Sequence, residues 1–358
     1  MKYTEIYDST LRDGSQGEGI SFSVSDKIKI VKALDEFGID YIEAGNPGSN
    51  PKDLLFFEEM RKIKLSHAKL CAFGSTRRYN VETSEDSNIK SLLSANTPVC
   101  AIFGKSWDLH VTEILKISLE DNLEIVFDTV SYLKSLGKEV VFDAEHFFDG
   151  YKNNADYAMK VLDTAVKAGA DCVCLCDTNG GMMPDKLGEI TKAVCLKFPD
   201  TKIGIHCHDD CGCAVANSVT AVQNGASSVQ GTFVGFGERC GNADLATIIA
   251  NLALKCGFSV GGNIKNLRQT AIFISEVSNV RLRNNKPYVG KSAFAHKGGM
   301  HIDGVMKLSR SFEHIDPELV GNHRKFLTSE VSGRGTILPK IQKFIPSIDK
   351  NSPEASKP

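Results

Sequence analysis

Two histidines one residue apart, in "IHCHDD", are the densest concentration of chemistry in the chain. On a strand, residues two apart point the same way, so His206 and His208 face one side while Cys207 faces the other. Two imidazoles converging at a strand end suit a divalent cation, and one carboxylate would complete a facial set with positions left open for substrate. Asp13, in "LRDGSQ", is the carboxylate in the richest local context. Asp209 or Asp210 could orient an imidazole from outside the ligand set. The plainer alternative is a pair of histidines satisfied by hydrogen bonds, and the acids at other strand ends weigh against it. Nitrogen and oxygen donors of this kind accept Mn²⁺, Zn²⁺, Mg²⁺ or Co²⁺ alike.

Further polar groups fall where other strands should end. Arg12 and Gln16 follow the first, Glu43 the second, and Asp143 with Glu145 the fifth; Asp177 and Thr178 follow the sixth. "GFGERCGN" follows the eighth, with Asn242 opening a helix. Taken singly, Glu43 and Asp143 serve equally well as ion-pair partners or as functional groups. Gly235, Gly237 and Gly241 permit close backbone approach, by a ligand or in a tight turn. "HCHDDCGC" resembles a zinc knuckle in composition, but its spacing is wrong for C-x-x-C pairs. "CVCLCD" has period two, which places Cys172, Cys174 and Cys176 on one strand face as small buried thiols.

These groups need a frame that brings strand ends together. To about residue 256 the chain repeats strand, loop and amphipathic helix. Strands are expected at 5–11, 41–45, 69–74, 98–104, 139–146, 172–178, 202–209 and 228–235. Helices are expected at 24–37, 54–62, 84–93, 120–136, 155–168, 184–197, 212–224 and 243–255. "FGID", "AGAD" and "NGAS" each carry a glycine suited to ending a helix before a strand. Eight such pairs in about 250 residues give an α/β fold, the (βα)₈ TIM barrel, whose functional groups gather at the C-terminal strand ends. A doubly wound open sheet would alternate in the same way, but the G-x-G-x-x-G turn after a first strand is missing.

The expected organisation is a catalytic barrel over 1–260, a helical linker and lid over 261–338, with helix across 263–286, and a disordered polar tail over 339–358. Forty-two Lys and Arg against 44 Asp and Glu leave a net charge of −2, which gives no reason to expect nucleic acid as a partner. No apolar stretch suits a signal peptide or a membrane span. The 11 scattered cysteines fit reduced thiols in a cytoplasmic setting.

"LRDGSQGEGISFSVSDK", "IGIHCHDDCGCAVA" and "GFGERCGN" together closely resemble the acyl-CoA-condensing branch of the metal-dependent lyase-type TIM barrels, which holds the isopropylmalate, homocitrate and citramalate synthases. The resemblance runs from Tyr3 to about Gly333. "NPGSNPKDLLFF", "FGKSWDLHV", "DAEHFFDGY" and "CDTNGGMMP" look most like the citramalate synthase group. It implies condensation of acetyl-CoA with a small 2-oxo acid, most simply pyruvate, as in isoleucine biosynthesis. It implies a metal held by Asp13, His206, His208 and Asn242, with Thr178 on the substrate carboxylate and Arg12 on the developing oxyanion. Glu145 and His301, with Asp303 beside it, would handle the acid–base steps; Gln16, Glu43, Gly235 and Gly237 would complete the substrate contacts. The "GFGERCGN" loop would lie along the acetyl-CoA side. His301, in "HKGGMHID", would reach over the active site of a neighbouring subunit, which implies a homodimer.

Two departures stand out. Asn46 occupies the position before "PGSNP" where the citramalate group has Trp, and the chain is too short for the C-terminal regulatory domain of larger synthases, so feedback inhibition by an amino acid is not expected. Three rivals follow: the same chemistry on 2-oxoisovalerate or 2-oxoglutarate, a hydroxy-acyl-CoA lyase using Cys240, and a non-enzymatic binding barrel.

Overall fold

The computed structural model describes residues 2–327, together with 341, 344–348 and 352. The expected tail at 339–358 therefore lies mostly outside the described residues. Eight parallel strands close on themselves: β1 (Tyr3–Asp8), β2 (Tyr41–Glu43), β3 (Lys69–Ser75), β4 (Val99–Lys105), β5 (Glu139–Glu145), β6 (Cys172–Asp177), β7 (Lys202–Cys207) and β8 (Ser228–Gly231). Each strand pairs with its successor, and β8 returns to β1 in the register Ile6 opposite Val229. The fold is the expected (βα)₈ barrel.

The helices that cover it are α1 (Val24–Phe37), α2 (Pro51–Met60), α3 (Ser87–Ser94), α4 (Leu119–Ser135), α5 (Phe147–Asn153), α6 (Ala155–Lys167), α7 (Pro184–Lys197), α8 (Ala214–Gln223) and α9 (Leu245–Leu254). Local chemistry sets their ends. Ser23 accepts from the Asp26 N–H while Asp26 reaches back to the Ser23 backbone, a reciprocal cap at the start of α1. Gly38 closes α1 at φ 101°, where a side chain would be strained, and Ile39 then leads into β2. Ser118 and Asp121 repeat the reciprocal cap on α4.

Strand period two sorts side chains between two cores. Tyr7, Tyr41, Cys71, Val99, Ala101, Val141 and Cys172 fill the barrel interior. Ile6, Ile42, Ala72, Cys100 and Phe142 alternate with them along the same strands and are equally buried. Full burial of each such aromatic or aliphatic side chain contributes roughly 1.5–3 kcal/mol. Tyr7 and Tyr41 stack at 5.8 Å between ring centroids, and the Tyr7 hydroxyl donates to Glu43 at 2.6 Å, so the interior floor is already polar below the strand ends.

The chain divides into two compact units, Met1–Asn263 with Phe273–Val280, and Ile264–Ile272 with Arg281–Pro358. A helix expected across 263–286 is shorter: α10 spans Leu267–Val277 after a single tight turn at Ile264–Asn266. Asn279 takes a left-handed φ of 52°, which ends helical winding, and "RLRNNKP" beyond it lacks an apolar period. In the second unit, α11 (Gly299–Lys307) is followed by short turns, and Ala295–His296 pairs with Lys325–Phe326.

Candidate active site

The C-terminal ends of the strands surround a cavity of about 220 Å³. Asp13, His206 and His208 meet on its wall, with ligand atoms all within 4.8 Å of one another. His206 Nε2 lies 3.4 Å and His208 Nε2 3.8 Å from Asp13 Oδ2. The strand argument for His206 and His208 agrees with the geometry, since Cys207 points away into full burial.

Burial alone would raise the Asp13 carboxyl, but the Arg12 guanidinium and the two imidazoles overrule it and hold it down at about 2. Burial pushes His206 down to about 3 against the pull of Asp13, and it lowers His208 in the same way. Both rings are therefore neutral near pH 7, the form that ligates metal. Asp13 Oδ1, both Nδ1 atoms and both amide atoms of Asn242 are buried without a hydrogen-bond partner. Stranded donors and acceptors of this kind at a carboxylate–imidazole cluster fit a divalent cation.

Asn242 is brought alongside by backbone pairing. Asp209 N donates to Gly241 O at 3.0 Å and Ala243 N to Cys207 O at 2.9 Å, which sets Asn242 opposite His208. The glycine loop is built for this approach: a Cβ on Gly237 would sit 2.1 Å from Asn242 Nδ2. Gly235 and Gly237 thus shape the loop, and Gly235 O accepts the Asn242 N–H at 3.1 Å. Neither acid after His208 orients an imidazole. Asp209 accepts from Ala214 N at the start of α8, and Asp210 pairs with Arg239 at 2.8 Å.

Arg12 lies between the cluster and the barrel floor. Its Nε is bound to buried Glu43, its Nη1 is 3.2 Å from Asp13, and its guanidinium covers the Phe73 ring at 3.8 Å. Glu43 is consumed by Arg12 and Tyr7, so it holds Arg12 in place from below. Glu145 reaches the cavity and pairs with Lys105. Thr178 Oγ1 accepts the His146 N–H at 2.9 Å, which leaves its own proton free to donate. Gln16 is exposed at the cavity mouth.

His301 and Asp303 belong to the second compact unit. There His301 stacks on Phe312 at 4.3 Å and Asp303 pairs with Lys307 at 2.5 Å. Cys240 is exposed, and Cys172, Cys174 and Cys176 are buried as expected. Two features exceed the sequence reading. Asp143, weighed above as either structural or functional, lines the cavity; burial and then the charge of Glu43 push it up to about 7, and Gln230 donates to it at 2.8 Å. Phe73 and Phe103 stack at 5.4 Å as the apolar wall. Strand period two places Asp143 on the same face as Glu145, which the sequence singles out from its local context and the family resemblance.

A strand-end cluster of one carboxylate and two neutral imidazoles, flanked by the half-buried Arg12 guanidinium, is a candidate metal site at the C-terminal end of a (βα)₈ barrel. The chain belongs to the HMGL-like family, whose model matches residues 3–274, and residues 288–354 match the homocitrate synthase post-HMGL domain-like family. It is 56% identical to (R)-citramalate synthase of Aquifex aeolicus over 98% of this chain and 67% of that one. Identity to (R)-citramalate synthase of Geobacter sulfurreducens is 52%, covering 99% of this chain and 67% of the relative. The chain thus spans about two-thirds of the length of these relatives. Among solved structures, the HMG-CoA lyase of Bacillus subtilis superposes with a TM-score of 0.67 at 20% identity, covering 79% of this chain and 96% of that one, a likeness of fold.

Proposed function

We propose that the protein condenses acetyl-CoA with pyruvate to give citramalate and CoA. The observation that carries this is the 56% and 52% identity to two (R)-citramalate synthases along nearly the whole chain. The cavity supports it, because about 220 Å³ walled by Phe73 and Phe103 suits a small acceptor. A 20% likeness to a lyase carries fold alone, so cleavage through Cys240 has no comparable support.

Asp13, His206, His208 and Asn242 would hold the divalent cation. When bound, it supplies Lewis-acid polarisation of the 2-oxo acid's keto group. Thr178 donates its free hydroxyl proton to the substrate carboxylate. Arg12 keeps N–H groups beyond those spent on Asp13 and Glu43, and these meet negative charge as it develops. Glu145, with His301 and Asp303 supplied by a neighbouring subunit as the resemblance implies, takes the methyl proton of the acetyl group and returns a proton to the keto oxygen as the new carbon–carbon bond forms. Water then cleaves the thioester, releasing CoA and making the overall reaction irreversible. The cytoplasm is the proposed location; the free cysteines accord with a reducing setting, and no helix among the described residues is long and apolar enough to cross a membrane.

The test is acetyl-CoA-dependent thiol release across pyruvate, 2-oxoisovalerate and 2-oxoglutarate, with Mn²⁺ present. Pyruvate is expected to give the highest kcat/KM. Negligible release with pyruvate beside turnover of another 2-oxo acid would reassign the acceptor.

A further inference from the structure

Besides the Asp13 cluster, one other set of side chains among the described residues brings three metal-ligating atoms together. A carboxylate oxygen of Asp143 and the sulfurs of Cys174 and Cys176 all lie within 4.8 Å of one another. Strand register explains the meeting. Asp143 of β5 lies opposite Cys174 of β6, and period two puts Cys176 on the same face, one step nearer the strand end. Cys174 in turn lies opposite Gly204 of β7. A Cβ at Gly204 would sit 3.2 Å from the Cys174 sulfur, so glycine there leaves the thiol room.

The set is buried yet reachable. Asp143, Cys174 and Cys176 are 4%, 0% and 6% exposed, and Asp143 and Cys176 both line the reaction cavity. Gln230 donates to Asp143 Oδ1 at 2.8 Å, which leaves Oδ2 for another partner. The Cys176 sulfur reaches the Cys174 carbonyl at 3.7 Å, a weak contact. Ligands held about 2.0–2.3 Å from a tetrahedral ion stand roughly 3.3–3.8 Å apart, so small side-chain rotations would complete the coordination. The donors differ in kind from the neighbouring cluster, although Cys176 lies opposite His206 in the β6–β7 register. Two sulfurs favour Zn²⁺ or Cd²⁺ over Mg²⁺ or Mn²⁺. Burial raises the Cys174 thiol well above its ordinary value, so a bound ion must displace its proton to the buffer, as thiol-bound metals do.

We propose that Asp143, Cys174 and Cys176 form a second cation site, selective for thiophilic divalent ions, and that its occupation blocks the reaction cavity. Asp143 and Cys176 serve both as ligands and as cavity wall, so an ion between them takes space and a proton-holding group from the substrate's side. Binding of the ion is independent of the reaction assigned above, whereas the block rests on it.

Cd²⁺ is the probe, because its bonds to thiolate absorb in the ultraviolet by charge transfer and its bonds to nitrogen and oxygen do not. The full chain is titrated with Cys195, Cys211, Cys213, Cys240 and Cys256, the thiols that are not buried, replaced by serine. The band is expected to saturate at one Cd²⁺ per chain, to persist in His208→Ala, and to vanish in the double variant Cys174→Ala with Cys176→Ala. Mn²⁺ binding at the Asp13 cluster, measured alongside, shows that the double variant is folded; should it not fold, Cys176→Ser alone should halve the band. Asp143→Asn keeps both thiols, so it should keep the band and bind Cd²⁺ about tenfold or more weakly. Zn²⁺ should displace the ion and Mg²⁺ should not. With Mn²⁺ in excess, acetyl-CoA consumption should fall at Cd²⁺ concentrations about tenfold or more below those that inhibit the double variant. A chain that binds Mn²⁺ but shows no band, or a band that survives loss of both thiols, overturns the site. Equal sensitivity to Cd²⁺ with and without the two thiols overturns the block. If the band behaves as expected but no 2-oxo acid is turned over, the cation site stands and the reaction assignment falls.

Discussion

At the scale of single residues, Asp13, His206 and His208 are tuned by one another as much as by burial. The carboxyl sits at about 2 and His206 at about 3, and burial lowers His208 in the same direction, so near neutrality the site is one negative charge beside two neutral rings. The sign matters for ligation. A cation competes with protons for an imidazole, and burial has moved that competition downward from the ordinary value near 6.5. Mn²⁺ affinity measured by calorimetry is therefore expected to stay nearly flat from pH 8 to pH 6, then to fall as pH drops toward the folded-state values. A tenfold loss between pH 7 and pH 6 would contradict it, because that is the behaviour of exposed histidines. His208→Ala should cost at least the roughly 10–100-fold that loss of an outer-shell partner costs a metal site. Asp143 behaves in the opposite sense. Its raised value makes it a proton holder near neutrality, next to Glu145, which Lys105 engages.

Elements bring these residues together, and the glycine loop after β8 is the element with least slack. Gly241 has φ 98°, and a Cβ there would lie 2.2 Å from the Gly235 carbonyl oxygen, a backbone atom that cannot step aside. Gly241→Ala should lose roughly 1–3 kcal/mol of stability to strain and also weaken Mn²⁺ binding, because Asn242 and its pairing with His208 move with the loop. Gly137→Ala is the control: its φ of 73° carries a conformational cost, but its Cβ meets nothing within 4 Å. Equal stability loss and unchanged metal affinity in the two variants would remove the loop from the metal site. Much of this frame was legible beforehand. α1 and α7 run over the expected spans, and most strands begin within a residue or two of expectation, because apolar period and glycine stops report local physics. α5 was missed, since seven residues span too few turns to show an apolar period. α2 starts at Pro51, three residues early, where Asn50 followed by proline was a readable cap. Partners were not legible: Gln230 reaches Asp143 across 87 residues and Lys105 reaches Glu145 across 40, separations that only barrel closure makes short.

At the scale of the whole molecule, the barrel carries Asp13, His206 and Glu145, while His301 and Asp303 lie in the second compact unit. If a neighbouring subunit supplies His301, as the family resemblance implies, each active site in a homodimer draws on two chains. A complementation experiment can then tell this arrangement from a site built within one chain. His208→Ala lacks a metal ligand in its own barrel, and His301→Ala lacks the acid–base group it would lend. Each alone should be nearly inactive. Mixed after reversible dissociation, they form hybrid dimers in which one site inherits both defects and the other inherits neither. With random pairing half the dimers are hybrids, so about a quarter of wild-type activity should return. Sedimentation measured alongside must show dimers. Recovery indistinguishable from zero, with hybrid dimers demonstrated by differential tagging, would place His301 in the site of its own chain or outside the reaction altogether.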